Sequence, residues 1–224
     1  MDPLALLPYA LAAAGGRVGA HDVTALVAAG VTLLQRSAPL VRVLAGRRAA
    51  VLLPPGAPWL VALAASDGRS MVLIDPLTVS ADAIAPMLHT HDVGAVFTSQ
   101  AWLPAVPAGT PFVLLDDAPS RARVCALGRD HTIDLGSHFA LDLVGDTESP
   151  GSPEECLRLE PHGAVLTHAD LLVAARRVLR NHQLTPLHRT TWASTPVSPE
   201  SIVRELVAPL LVGGTVDMGP RSSR

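Results

Sequence analysis

Four short apolar runs constrain this chain more than any other feature: Ala49-Ala50-Val51-Leu52-Leu53, Ser70-Met71-Val72-Leu73-Ile74, Gly94-Ala95-Val96-Phe97-Thr98 and Pro111 to Leu115. A run of this length without polar alternation suits a strand covered on both faces. Between the runs lie segments of helical character, Trp59 to Ala65 and Ser80 to about Leu88, and a short helix is expected to start at Ser99 or Gln100. Strand–helix alternation is the pattern of βαβ units. The expected fold class is therefore α/β, a Rossmann-like layered fold with a mainly parallel sheet.

The flanking segments extend this reading. Leu4 to Ala14 predicts a short helix ended by Gly15-Gly16, and Asp22 caps a second helix, Val23 to Ala29, stopped by Gly30. A third helical pattern runs from Thr32 to Leu44, kinked at Pro39 and stopped at Gly46. Residues 118–144 show no clear pattern, and Gly145 to Pro153 is loop or linker by composition. The expected organisation is a first α/β subdomain over 1–144, a linker over 145–153 and the start of a second α/β subdomain over 154–224. In that last part, Glu155 to Leu159 and Gly163 to Leu166 predict strands. A helix from Ala169 to about Asn181 follows, capped by Thr167 or His168, and Thr190 to Ala193 suits a strand. Ser198-Pro199-Glu200 starts another helix, with Ser as N-cap and Pro at the first position, running to Leu211 and ending at Gly213-Gly214.

Composition narrows the chemistry. Hydrophobic residues make up 49% of the chain but aromatics only 3%, so the core is built from Ala, Val and Leu. The charged fraction, 17%, falls below the usual quarter, which suggests an apolar face covered by a protein partner or a second copy of the chain. A net charge of −3 without a basic block argues against nucleic acid. All 17 basic residues are arginine, so Schiff-base chemistry, pyridoxal phosphate attachment and a P-loop lysine have no amine to use. Cys125 and Cys156 lack metal spacing and read as reduced thiols. His89 and His91, two residues apart at a helix end, read as structural rather than metal-binding, and His131 with His138 no differently; no metal site is expected. Gly15 to Gly19 lacks the spacing of a dinucleotide loop, and no Gly-x-Ser-x-Gly elbow anchors a hydrolase triad. Met1-Asp2-Pro3 opens no signal peptide, and no run of about 18 apolar residues predicts a membrane span. The expected location is the cytoplasm.

The stretch Glu160-Pro161-His162-Gly163-Ala164-Val165-Leu166-Thr167-His168-Ala169-Asp170-Leu171 resembles the segment after the phosphate loop of adenylate-forming enzymes, the acyl- and aminoacyl-activating ligases. There the pattern is a strand, a Ser/Thr/Gly-rich loop, then E-P-K-G-V-x-x-T-H-x-N-L. Further blocks are similar in the same order: Ala50 to Pro54, Met71 to Leu77, Asp92 to Ser99, and Glu205 to Val216, the last resembling E-L-x-x-P-L-L-x-G-G-T-V. The resemblance spans nearly the whole chain and implies the N-terminal portion of such an enzyme. It also marks departures. The strand Glu155 to Leu159 passes straight into Glu160-Pro161 without the Ser/Thr/Gly loop, and His162 stands where the family has Lys. The adenine-binding segment, the ribose-binding Asp and the C-terminal lysine belong to later parts of the family pattern.

By resemblance, His162 and Thr167 fall in the residual phosphate region, and Glu200 lies where aminoacyl-activating members carry an Asp that pairs with the substrate amine. Against these stand plainer readings of the residues themselves. Thr167 caps a helix, and Glu200 is an acid in a first turn, where helix electrostatics favour one. The cofactor is ATP or AMP if a phosphate site persists, and no catalytic residue is assigned. The expected function is a degenerate acyl-activating-enzyme-like protein without ligase activity, acting as a binding partner. The alternative is one part of a split adenylating ligase completed by another chain.

Overall fold

The computed structural model describes residues 6–66, 70–136, 155–161, 163–192 and 197–219. Helix α1, Leu7–Ala14, ends where Gly15 turns left-handed at φ 73°. Two short strands follow, β1 (Arg17–Val18) and β2 (His21–Asp22). Helix α2, Val23–Arg36, starts after Asp22, whose carboxylate pairs with Arg17 at 3.1 Å instead of capping the helix. The chain breaks at Ser37, whose Oγ accepts from the Leu40 amide, and α3 (Ala38–Leu44) leaves at 91° to α2. Pro39 therefore sits in a first turn, where its missing N–H costs nothing, and it does not kink a longer helix.

Strand β3 (Arg48–Leu52), helix α4 (Ala57–Ala65), strand β4 (Met71–Ile74), helix α5 (Ala81–Thr90) and strand β5 (Val93–Thr98) realise the expected alternation. The sequence predicts that Gly30 stops α2, but the helix runs through it. A Cβ at Gly30 would lie 2.3 Å from the Val61 carbonyl oxygen and 2.6 Å from the Ala64 Cβ. Gly30 lets α2 and α4 meet backbone to backbone, at about 1 kcal/mol of helix propensity. The short helix expected at Ser99 or Gln100 is a single 3₁₀ turn, Leu103–Ala105, ahead of β6 (Phe112–Leu114).

Within the stretch that carried no readable pattern, β7 (Arg121–Ala126) and β8 (Arg129–Asp134) form a hairpin. Its turn residues Leu127 and Gly128 both have positive φ, 52° and 72°, as two-residue hairpin loops require. Then come β9 (Glu155–Glu160), β10 (Ala164–Thr167), helix α6 (His168–His182) and β11 (Arg189–Trp192). Helix α7 (Pro199–Ser201) passes through a π-helical segment, Ile202–Val207, into α8 (Ala208–Leu211), and β12 (Thr215–Met218) closes the order.

The large sheet has the order β10-β9-β4-β3-β5-β6-β7-β8. Its five central strands, β9 to β6, run parallel, and the outer pairings are antiparallel. Strand β9 pairs with β4 in register, Met71 opposite Leu157 and Ile74 opposite Glu160, so the chain beyond 145–153 adds to the same sheet. A small second sheet, β11-β12-β1-β2, joins the first strands of the chain to the last. Ala49, Val51, Met71, Leu73 and Phe97 face α1, α2 and α4 in the main core, while Ala50, Leu52, Val72 and Val96 face Ile84 and Leu88 of α5. Coverage of both faces explains why these strands are apolar throughout. No single helix among the described residues is long and apolar enough to cross a membrane.

Candidate functional site

The β9–β10 hairpin carries the segment singled out in the sequence. Leu159 pairs directly with Ala164, so four residues, Glu160 to Gly163, make the whole connection. Glu160 is turned inward: its Oε1 lies 2.7 Å from His91 Nε2, and the two side chains are only 12% and 14% exposed. His91 follows the last turn of α5, so this contact ties that helix to the end of β9. His162 lies outside the described residues. Thr167 is the N-cap of α6, where its hydroxyl accepts from the Asp170 amide at 2.9 Å and its amide donates to Asp170 Oδ2 at 3.4 Å. This reciprocal pair is a capping box.

Glu200 stands in the first turn of α7 with its side chain 83% exposed, and its carboxylate lies 3.8 Å from Arg204 Nη1. Three later residues of the same helical stretch, Ile202, Leu206 and Val207, instead face a small cavity. That cavity, about 20 Å³, is lined entirely by apolar side chains, among them Leu7, Leu11, Trp59, Met71 and Leu157. Its size is about that needed for one water, and its lining offers no water a hydrogen bond.

Polar groups that the sequence did not single out gather along β9 and β4. Glu155 accepts from Ser70 Oγ at 2.6 Å and from Arg158 Nε at 3.2 Å, with Arg48 Nη2 at 3.6 Å. Burial pushes the Glu155 carboxyl up, but the Ser70 hydroxyl and the two guanidinium groups outweigh it and hold the group below its ordinary value. A carboxyl so held stabilises the fold above its unfolded value, about 4.3, and loses that contribution as acid protonates it. Glu155→Gln is accordingly expected to unfold at lower urea near neutral pH. Between about pH 5 and pH 3 it should lose less stability than the parent. Parallel acid profiles for the two proteins would remove this network from the account of stability.

Asp75, at the end of β4, is 5% exposed; its Oδ1 accepts from the Leu77 amide, and its Oδ2 has no partner among the described residues. Cys156 is fully buried, and burial pushes its thiol well above the ordinary value, which keeps it unreactive. His89 is exposed, and His91 is engaged with Glu160. No group of three metal-ligating side chains occurs among the described residues.

Neither protein-family models nor curated proteins give a match to the chain. Solved structures do. The nonribosomal peptide synthetase FmoA3, in a form bound to α-methyl-L-serine-AMP, superposes with a TM-score of 0.68 at 18% identity, over 98% of this chain and 24% of that one. Apo MatB from Rhodopseudomonas palustris gives 0.68 at 15% identity, over 97% and 45%. CmiS6 gives 0.67 at 17% identity, over 99% and 54%. The fold is that of the adenylate-forming enzymes. The likeness is one of architecture, and the chain spans between about a quarter and a half of the length of these neighbours.

Proposed function

We propose that this chain is a ligase-like scaffold that forms no acyl-adenylate by itself and acts by binding a protein partner. The observation that carries the reading is the short hairpin between β9 and β10. Phosphate loops hold anionic oxygens with unpaired backbone amides and small hydroxyl side chains. Here the connection has four residues, and one of them, Pro161, has no amide to give. Glu160 adds a carboxylate at the same turn, and the Thr167 amide donates within the cap of α6. The absence of lysine from the sequence supports the same conclusion. A partner surface is supported by Val165 on the edge strand β10 and Val173 on the adjacent α6, which are 43% and 62% exposed.

The test is a calorimetric titration of ATP and of AMP into the monodisperse chain, paired with ATP–pyrophosphate exchange over a panel of carboxylic and amino acids. No binding heat is expected up to about 1 mM nucleotide, equivalent to a free energy weaker than about −4 kcal/mol, and no exchange. Micromolar binding or measurable exchange would overturn the proposal.

A second reading is favoured by the neighbours' length. In it, residues 1–224 are one part of an adenylating ligase completed by another chain that supplies adenine-binding and lysine-bearing segments. Exchange activity that appears only when such segments are co-expressed would support it over the first.

A further inference from the structure

Helix α6 lays one side on the core: His168, Leu171, Leu172 and Ala175 are buried, and the helix packs against α8, the π-helical segment, β10 and α1. The opposite side has a different character. Val173, Arg176, Arg177 and Arg180 are all exposed, Val173 at 62%. Positions i, i+3, i+4 and i+7 line one face of a helix. One apolar residue and three guanidinium groups therefore form a single stripe about 10 Å long.

No carboxylate among the described residues pairs with these three arginines. Elsewhere on the surface, Arg17, Arg47, Arg123 and Arg189 each stand against an aspartate. Arg42, Arg121 and Arg129, also without an ion pair, lie singly on α3, β7 and β8. The one acid on α6, Asp170, is seven residues before Arg177 and is engaged with Thr167. Helix electrostatics accounts for only part of the stripe. A cation in the last turn is favoured, which explains Arg180 and His182. That preference fades within a turn, and Arg176 and Arg177 lie before it. Arg176 and Arg180 are four residues apart, a like-charge spacing that destabilises a helix. The stripe thus costs the isolated chain stability.

We propose that this stripe is the docking site for an acidic helix of a protein partner, an inference that rests on the reading of the chain as a binding scaffold and gives the partner its chemistry. Carboxylates spaced one turn apart would meet the three guanidinium groups in charge-assisted hydrogen bonds. An apolar side chain among them would cover Val173, giving the interface an apolar centre within a polar rim. Docking would also offset the repulsion between Arg176 and Arg180. A flat anionic bilayer fits less well. Attraction to such a surface grows with the number of basic residues near it, and here three arginines are opposed by a net charge of −3.

The test uses the full chain and two Ala-rich peptides of about 15 residues, long enough to be helical alone. One places three glutamates and a leucine on a single face; the other has the same composition with the glutamates spread round the helix. At about 50 mM salt, where exposed charges are weakly screened, the one-faced peptide is expected to bind with a Kd of about 100 μM or tighter. The spread peptide should bind about tenfold more weakly. Arg176→Glu with Arg177→Glu should weaken the one-faced peptide about thirtyfold or more. Arg42→Glu with Arg129→Glu, the same change of net charge elsewhere, should leave it within about twofold. Arg176→Glu alone should raise the urea midpoint, because Glu four residues before Arg180 is the favourable order. In the parent, amide shifts on binding should centre on residues 173–180, a readout that needs no variant to fold. Equal affinity for the two peptides, equal loss in the two double variants, shifts centred elsewhere, or no binding up to about 1 mM peptide would each overturn the proposal. So would binding of phosphatidylserine vesicles through these arginines without affinity for either peptide, which would assign the stripe to a membrane. Nucleotide takes no part, so the titration with ATP judges the scaffold reading separately.

Discussion

Replacing Gly30 by alanine is expected to destabilise the fold by about 3 kcal/mol, although alanine is the better helix former by about 1 kcal/mol. The new methyl would meet the Val61 carbonyl oxygen at 2.3 Å, the Ala64 Cβ at 2.6 Å and the Ala65 amide nitrogen at 2.9 Å. Two of these atoms are backbone, so no side chain can rotate away, and α2 must move off α4. That separation opens the main core where Leu26, Val27 and Leu33 meet Leu60, Val61 and Ala64, all buried. The measurement is the urea midpoint at unchanged slope. A midpoint equal to or above the parent's would mean that the two helices do not approach as closely as the structure places them.

Gly30 also shows where a sequence stops being readable. A glycine in a helical pattern is a stop signal when local chemistry decides and a contact when a second helix decides, and nothing within the pattern distinguishes the two. The strands β3, β4 and β5 were legible because coverage on both faces makes them continuous apolar runs. The β7–β8 hairpin was not, since it is covered on one side. Its signal is an alternation of Arg121 and Arg123 with small Ala122 and Val124, and its turn uses Leu127-Gly128 in place of the Asn-Gly that usually marks such loops. In the small sheet β11 was expected at Thr190 to Ala193, but β1 and β2 escaped because they have two residues each, too few for any period, and β1 pairs with the distant β12.

The candidate site divides along the same line. Thr167 was readable as a cap because its partner Asp170 is three residues away. Glu160 and His91 were both noticed in the sequence, the first as a family position and the second as a doubtful metal ligand, but their contact joins residues 69 apart. The buried Asp75 had a signal, an Asp-Pro closing an apolar strand, that reads equally as an ordinary turn. His168 lay inside the quoted motif, yet its bond reaches residue 7, beyond any spacing argument. Local chemistry could be read directly; the contacts that hold helices to strands required the sheet order.

Trp59→Ala is expected to cost about 4 kcal/mol, at the level usual for removing a large buried aromatic. Four separate losses combine. The indole is 5% exposed, so its apolar area is returned to water or to a void. It already borders the apolar cavity, so truncation enlarges an existing void, and collapse is resisted by α4 on one side and β4 on the other. Its Nε1–H donates to the Leu53 carbonyl at 3.1 Å, which would be left without that donor. The ring also meets Trp192 edge to face, centroids 5.7 Å apart at 78°, a geometry worth about 1 kcal/mol beyond burial. Trp192 belongs to β11, so this pair couples the small sheet to the helix layer over the large one. Trp59→Ala should therefore weaken amide protection across β11 and β12 more than across β3 and β5. Trp59→Phe, which keeps a ring against Trp192 but loses the indole N–H, should cost about 1–2 kcal/mol and leave that distribution unchanged. Equal loss of protection in both sheets after Trp59→Ala would mean that the two tryptophans do not join them.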